Sequence, residues 1–181
     1  LNKLFKKTLT MTAIFFAAML ISCAKEAKKE MFISFYAGTV TQTRNGAPVQ
    51  VEVKGVALEG DVFNVGEKST LILQSSDGLV IRFESDTEAV MSSINNITKR
   101  EISLNKGKVL SSVEKLQKGR GYDVKTPTVV ASVRGTQFLT EFDGKSSVVA
   151  VGKGVVSVRR TTGTGDEKLV EKGNSAVAQQ E

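Results

Sequence analysis

The chain has one thiol, no histidine and a scatter of carboxylates, and this limits the chemistry open to it. Without histidine, a Ser-His-Asp triad, a Cys-His pair and the usual zinc sites are excluded. An acid–base pair would have to come from acids such as Asp61, Asp77, Glu84, Asp86 and Glu88. Glu84, Asp86 and Glu88, however, recur at every second position, the spacing of one solvated strand face. The sequence has no calcium loop of alternating acids, and no Gly-Lys-Ser/Thr follows a glycine at the distance a phosphate loop needs. We therefore expect no catalytic residue, no metal and no cofactor. Two groups remain to be explained: the thiol of Cys23 and the guanidinium of Arg134.

Cys23 ends the run Leu20-Ile21-Ser22-Cys23, behind 14 uncharged residues (8–21) and the basic Lys3, Lys6 and Lys7. A helix needs about 20 residues to cross a bilayer core, so this stretch suits a signal-peptide core better than a membrane anchor. Ser22 is small enough for a signal peptidase, and the thiol is a nucleophile able to form a thioether. The segment resembles a bacterial lipobox, with Leu20, Ile21 and Ser22 as the peptidase recognition residues and Cys23 as the lipidation site. The resemblance implies a signal peptide over 1–22, cleavage before Cys23 and acylation of the new N-terminus. One acyl chain binds a membrane only marginally, at about 0.8 kcal/mol per buried methylene, whereas two or three make a lasting anchor. Ala24 is not the acidic residue that resembles an inner-membrane retention signal, which favours the outer membrane and leaves the periplasmic or surface side open.

Three of the 25 basic residues precede Cys23 and none of the 19 acidic ones does, so 22 basic against 19 acidic residues remain, a net +3 in place of +6. The basic pI thus partly reflects the export signal, and nucleic acid is not an expected partner. With Cys23 acylated no thiol is left for a disulfide, and stability must come from a core. The roughly 159 residues after cleavage can bury about 68 to 70% of their unfolded surface, enough for one domain.

Residues 24–30 are short and charged and read as the start of a tether spanning 23–34, followed by one domain over 35–181. From Phe32 onward the apolar pattern has a period of two, which puts alternate side chains on opposite faces of a strand. Val49, Val51 and Val53 alternate with polar residues. Leu71 and Leu73, then Ser75-Ser76-Asp77-Gly78, then Leu79, Ile81 and Phe83 make a hairpin signal, because Gly78 accepts the positive φ of a tight turn. A second signal runs from 136–142 through Asp143-Gly144 to 147–151, and Val155, Val156 and Val158 follow. Helix evidence is confined to one or two turns over 111–118. The expected fold is all-β: a single domain of many short, mainly antiparallel strands, as a sandwich or an irregular solenoid-like stack, preceded by the signal-peptide helix and a flexible tether.

The most specific segment is Thr126-Pro127-Thr128-Val129-Val130-Ala131-Ser132-Val133-Arg134-Gly135-Thr136-Gln137-Phe138. Pro127 fixes φ and lacks a donor, which suits a strand entrance or a sheet edge. Residues 129–133 form a strand of small side chains, and Gly135 permits a bend after Arg134. The segment resembles the hallmark of the FecR-domain family, and Gly38-Thr39-Val40, Glu59-Gly60-Asp61, Asp77-Gly78, Leu104-Asn105-Lys106-Gly107-Lys108-Val109, Gly154-Val155-Val156 and Glu171-Lys172-Gly173 resemble its other landmarks in order. On this resemblance Thr126, Pro127, Val133, Arg134, Gly135, Thr136 and Phe138 are hallmark positions, expected to be structural.

Arg134 has two readings. As a structural clamp it would bond carbonyls or an acid such as Asp61, Asp123 or Glu141, because a charge among apolar neighbours needs partners. As a functional group it would meet an anion or a partner. Gly60, Gly107 and Gly154 are read as turn residues.

The resemblance implies a link to periplasmic signal reception, as in regulators of iron-citrate uptake that pass a receptor signal to a sigma factor. No sigma-binding segment is expected ahead of the apolar run, and on that expectation only the domain resemblance is carried over. The leading expectation is a non-enzymatic, lipid-anchored module that binds a protein or an envelope polymer, through strand edges or loop tips. The alternative is a regulatory sensor in envelope or iron-responsive signalling, working with a separate membrane partner. A carboxylate-based polysaccharide enzyme is a third, lesser reading.

Overall fold

A computed structural model describes residues 31–94, 96, 98–114, 120–162 and 167–180. The lipobox residues Leu20, Ile21, Ser22 and Cys23, with the signal peptide, lie outside them. Sixteen strands and no helix occur among the described residues, and none of these residues forms a helix long and apolar enough to cross a membrane.

The chain moves back and forth between two layers of one hydrogen-bonded sheet. The first layer runs, neighbour to neighbour, through β4 (Val56–Ala57), β1 (Met31–Ala37), β6 (Thr70–Ser75), β7 (Leu79–Phe83), the second half of β9 (Lys99–Val113), β12 (Gln137–Phe142), β13 (Ser146–Lys153) and β16 (Ser175–Gln179). The second runs through β3 (Ala47–Val49), β2 (Val40–Arg44), β5 (Val62–Val65), β8 (Thr87–Ser93), the first half of β9, β10 (Gly121–Lys125), β11 (Val129–Val133), β14 (Val155–Arg160) and β15 (Lys168–Glu171). Hairpins β6–β7, β10–β11, β12–β13 and β14–β15 fall alternately in the first and second layers. The result is a sandwich built by solenoid-like steps. Every pairing is antiparallel except β9 with β10.

β9 belongs to both layers, and Gly107 is its pivot. Gly107 has φ of 93°, and a Cβ there would lie 2.5 Å from Thr87 Cα and 2.6 Å from the Asp86 carbonyl oxygen. Only a residue without a side chain lets the strand turn this closely against the start of β8.

Alternation within each strand sends one face to a core shared by both layers. Leu71, Leu73, Ile81 and Phe83 of the first layer meet Phe63, Met91, Ile102 and Leu104 of the second, all buried. The rings of Phe63 and Phe83 lie 6.4 Å apart, and those of Tyr122 and Phe138 6.2 Å apart. Both hairpins expected from sequence form, with Leu71 opposite Phe83 and Phe142 opposite Ser147. Turn residues Gly78 and Gly144 have φ of 86° and 97°.

Four local expectations are corrected. Strand β1 starts at Met31, so residues 31–34 of the expected tether are strand, with Met31 and Ile33 in the core. The Val49, Val51 and Val53 alternation does not continue as a strand: β3 stops at Val49, Lys54 has φ of 71°, and the Gly55 amide donates to the Glu52 carbonyl, closing a turn that leaves Val53 exposed. Over 111–118, the part up to Val113 is the end of β9 rather than helix, because β7 and β12 hydrogen-bond it on both sides; residues 115–119 lie outside the described ones. Glu84, Asp86 and Glu88 do not share a strand face, because Asp86, at φ of 57°, sits in the turn between β7 and β8.

Candidate functional site

The hallmark segment carries the chain from the second layer to the first. It opens with a closed turn. Thr126 is buried; its amide donates to the Val129 carbonyl at 2.8 Å, and its Oγ1 accepts from the Val129 amide at 2.9 Å. Oγ1 of Thr126 and of Thr128 lie 2.7 and 2.6 Å from Ser147 Oγ on β13, tying the layers together with buried hydroxyls. Pro127 stands exposed at the turn tip, where its missing N–H costs nothing.

Strand β11 then runs between β10 and β14, with Val133 buried at its end. A bend at Arg134 and Gly135 follows, and Thr136 locks the crossing. Its Oγ1 donates to the Val155 carbonyl at 3.0 Å, and its carbonyl accepts from the Val113 amide at 2.9 Å. Gly154, at φ of 85°, is pressed against this bend: a Cβ there would lie 2.9 Å from the Gly135 carbonyl oxygen. Phe138 turns inward onto Tyr122, whose hydroxyl is 3.0 Å from Ser111 Oγ. Burial pushes the Tyr122 phenol far above its ordinary range, which keeps it neutral.

The side chains of Thr126, Val133, Thr136 and Phe138 are thus buried and engaged within the fold. Arg134 is exposed, and the three acids offered as its clamp hold other cations. Asp61 pairs with Arg44 at 2.7 Å, Asp123 with Lys99 at 2.7 Å, and Glu141 with Lys108 at 3.2 Å. The expectation of an enclosed guanidinium fails because Val129, Ala131 and Val133 take the core-facing positions, so alternation leaves Arg134, like Ser132, on the outer side.

Arg134 instead lines a polar hollow of about 620 Å³ on the outer face of the second layer. Lys99 and Arg120 add further cations, Asp123 and Glu167 supply the acids, and Ser132 and Ser157 contribute hydroxyls. Asp123 is 2% exposed. Lys99 Nζ neutralises its Oδ2 at 2.7 Å, although that oxygen receives no well-directed hydrogen bond. Glu167 accepts a hydrogen bond from the Ser157 hydroxyl. Three cations, Lys99, Arg120 and Arg134, face two acids, Asp123 and Glu167, so the hollow carries a net positive charge, and the arrangement suits holding an anionic group rather than moving a proton. Among the described residues no group of three or more His, Cys, Asp or Glu side chains is placed to hold a metal.

Sequence reasoning singled out Arg134 but not Lys99 or Arg120. Lys99 reaches the hollow because β9 pairs with β10 in parallel, with Lys99 opposite Gly121, a pairing that period-two patterning does not reveal. Three of the other acids, Asp61, Glu84 and Glu88, are held by neighbours. Asp61, fully buried, accepts from Gln42 Nε2 at 2.7 Å, Arg44 Nη2 at 2.8 Å and the Leu58 amide at 2.8 Å. Burial alone would push its carboxyl up, but the bonds from Arg44, Leu58 and Gln42 together hold it below the usual range. Glu84 pairs with Arg82 at 3.0 Å, and Glu88 accepts from Asn105 at 2.9 Å.

Two crystal structures of a "putative anti-sigma factor" from Parabacteroides distasonis, at 2.50 and 1.65 Å, share the fold. Each has a TM-score of 0.56 and 16% identity, and the match covers 64% of this chain and 53% of that one. The chain thus spans about half the length of that protein. No curated protein matches the sequence. The model of the family described as FecR protein matches residues 61–157, from the buried Asp61 through the whole hallmark to β14, and the chain belongs to that family.

Proposed function

We propose that the protein is a regulatory sensor module of envelope signalling, which binds a protein partner through the hollow around Arg134 and does no chemistry of its own. The observation that carries this reading is the contrast within the hallmark. Its other side chains are spent on the turn, the layer crossing and the core, while Arg134 is exposed beside Lys99 and Arg120. Family membership and the shared fold with an anti-sigma factor favour regulation over a passive scaffold. Asp123 and Glu167 are each tied to a neighbour, which speaks against a polysaccharide-cleaving pair. In this reading Cys23 carries acyl chains that hold the domain at the envelope membrane, the outer membrane by its Ala24.

The test is genetic. Deleting the gene should change envelope or iron-responsive transcription, and Arg134→Glu, expressed at the parental level, should reproduce that change. A deletion that leaves both transcription programmes unaltered rejects the regulatory role. Mass spectrometry of the mature N-terminus checks the anchor, and an unprocessed, unacylated N-terminus rejects it.

A further inference from the structure

The hollow around Arg134 is not the same on its two sides. Its floor is made of small residues, Gly121 on β10, Ser132 on β11 and Ser157 on β14. On the side of β9, β10 and β11 stand the cations Lys99, Arg120 and Arg134. On the side of β14 and β15 stand two apolar residues, Val155, 44% exposed, and Leu169, 65% exposed. Val156 and Val170 are buried, so alternation sends their neighbours Val155 and Leu169 to the outer face. Glu167, the acid on that side, is held by the Ser157 hydroxyl. The hollow is thus cationic along one wall and apolar along the other.

The strand register sets the distance between the two walls. Ser132 lies opposite Ser157, and Ser157 opposite Leu169. Two residues beyond the first pair, Arg134 comes beside Val155, where Thr136 bonds the Val155 carbonyl and fixes the crossing. Neighbouring strands are about 4.8 Å apart, so Val155 stands roughly 5 Å from Arg134 across the sheet and Leu169 one strand further, roughly 10 Å. In an extended chain, side chains two positions apart leave on the same side and are separated by roughly 6.5 to 7 Å. That separation falls between the two distances.

Taking the hollow as the site of a protein partner, as proposed above, we infer that the partner enters it with an extended segment that carries an acidic residue and, two positions along, a large apolar one. Both side chains face the hollow. The carboxylate meets Arg134 and Arg120, where a planar guanidinium can hold it at two points, and the apolar side chain covers Val155 and Leu169. The small floor residues let the segment's backbone come close. A polymer bearing only anionic groups would meet the cations but leave Val155 and Leu169 in water, so the apolar wall favours a protein segment.

The test uses the full chain, isotope-labelled and solubilised in a zwitterionic detergent, and short capped peptides in a Gly-Ser frame. The first peptide has Glu and Leu two positions apart, the second has Gln in place of Glu, and the third has Ala in place of Leu. Nuclear magnetic resonance titration should show the first shifting the amides of Ser132, Ser157 and Leu169 and binding roughly fivefold more tightly than either of the others. Arg134→Gln should abolish the preference for Glu over Gln and keep that for Leu over Ala, while Leu169→Ser should do the reverse. Both positions are exposed, and if either variant fails to fold the peptide preferences of the parent decide alone. Equal binding of the peptides, or no shift at the hollow, overturns the inference. Polyphosphate that shifts the same amides more strongly than the first peptide, equally in the parent and in Leu169→Ser, overturns it in favour of an anionic polymer. The genetic test reads transcription instead, so an Arg134→Glu phenotype without any peptide preference would sink the segment and leave the regulatory role standing.

Discussion

Arg100 and Asp77 join the two layers through a two-point ion pair. Nη1 donates to Oδ1 at 2.9 Å and Nη2 to Oδ2 at 2.7 Å, and the two side chains are only 10% and 15% exposed. The arginine comes from the first half of β9, the aspartate from the turn between β6 and β7, and Arg100 Nη1 also reaches Ser75 Oγ at 3.1 Å. This clamp, rather than Arg134, is the guanidinium that the sandwich relies on. Asp77→Ala should cost about 3 kcal/mol in urea unfolding, because it leaves a nearly buried cation without its counter-charge. Replacing both residues with apolar ones of similar volume should recover much of the loss. A single mutant within about 0.5 kcal/mol of the parent would mean that the pair is solvated in solution.

Gly107 should be the least replaceable residue of the domain. A Cβ would strike the backbone of Asp86 and Thr87, and φ of 93° is strained for any other residue. Gly107→Ala is therefore expected to cost roughly 3 kcal/mol or more, a fall in melting temperature of about 10 °C. Gly144→Ala is the control. Its φ of 97° imposes a similar backbone strain, but a Cβ there meets nothing within 4 Å, so the difference between the two variants reports the contact at the pivot.

Acid and alkali should destabilise the fold through different groups. Asp61 titrates lower in the folded chain than unfolded, so its contribution is present above the ordinary carboxylate pKa of about 4 and is lost as pH falls through its lower folded value. Tyr122 titrates higher in the folded chain, so its contribution is full below about pH 10 and is lost as pH rises from there towards the folded value. Asp61→Asn should flatten the acid limb of a stability-against-pH curve, and Tyr122→Phe the alkaline limb. Unchanged limbs in these variants would move the assignment to other groups.

What the sequence made legible follows from local physics. Period-two runs and Asp-Gly turns located β6–β7 and β12–β13, since hairpin register depends on neighbours in the chain. The parallel pairing of β9 with β10 and the passage of β9 through both layers were not legible, because they join residues by contacts whose only local trace is a glycine. The same limit applies to the hollow. Arg134 stood out through its motif, whereas Lys99 and Arg120 reach it only through that long-range pairing. The acids at 84, 86 and 88 misled for a related reason: alternation of polar residues looks the same in a strand and in a turn between two strands.

The fate of Arg134 separates its two readings in one measurement. A clamped, buried guanidinium would cost about 3 to 5 kcal/mol when its pairing is broken, whereas exposed side chains usually change stability by no more than about 0.5 kcal/mol. Because Arg134 is exposed and Asp61, Asp123 and Glu141 hold other cations, Arg134→Ala is expected to unfold at the parental urea midpoint. Thr136→Val, in the same motif, should be clearly destabilised, since it loses the bond to the Val155 carbonyl in a buried position. A partner held by the guanidinium in a half-open hollow should also bind more weakly as salt rises, and the Arg134→Ala protein should show a shallower salt dependence. If Arg134→Ala lowers the midpoint as much as Thr136→Val does, the residue is structural after all and the binding surface must be sought elsewhere on the domain.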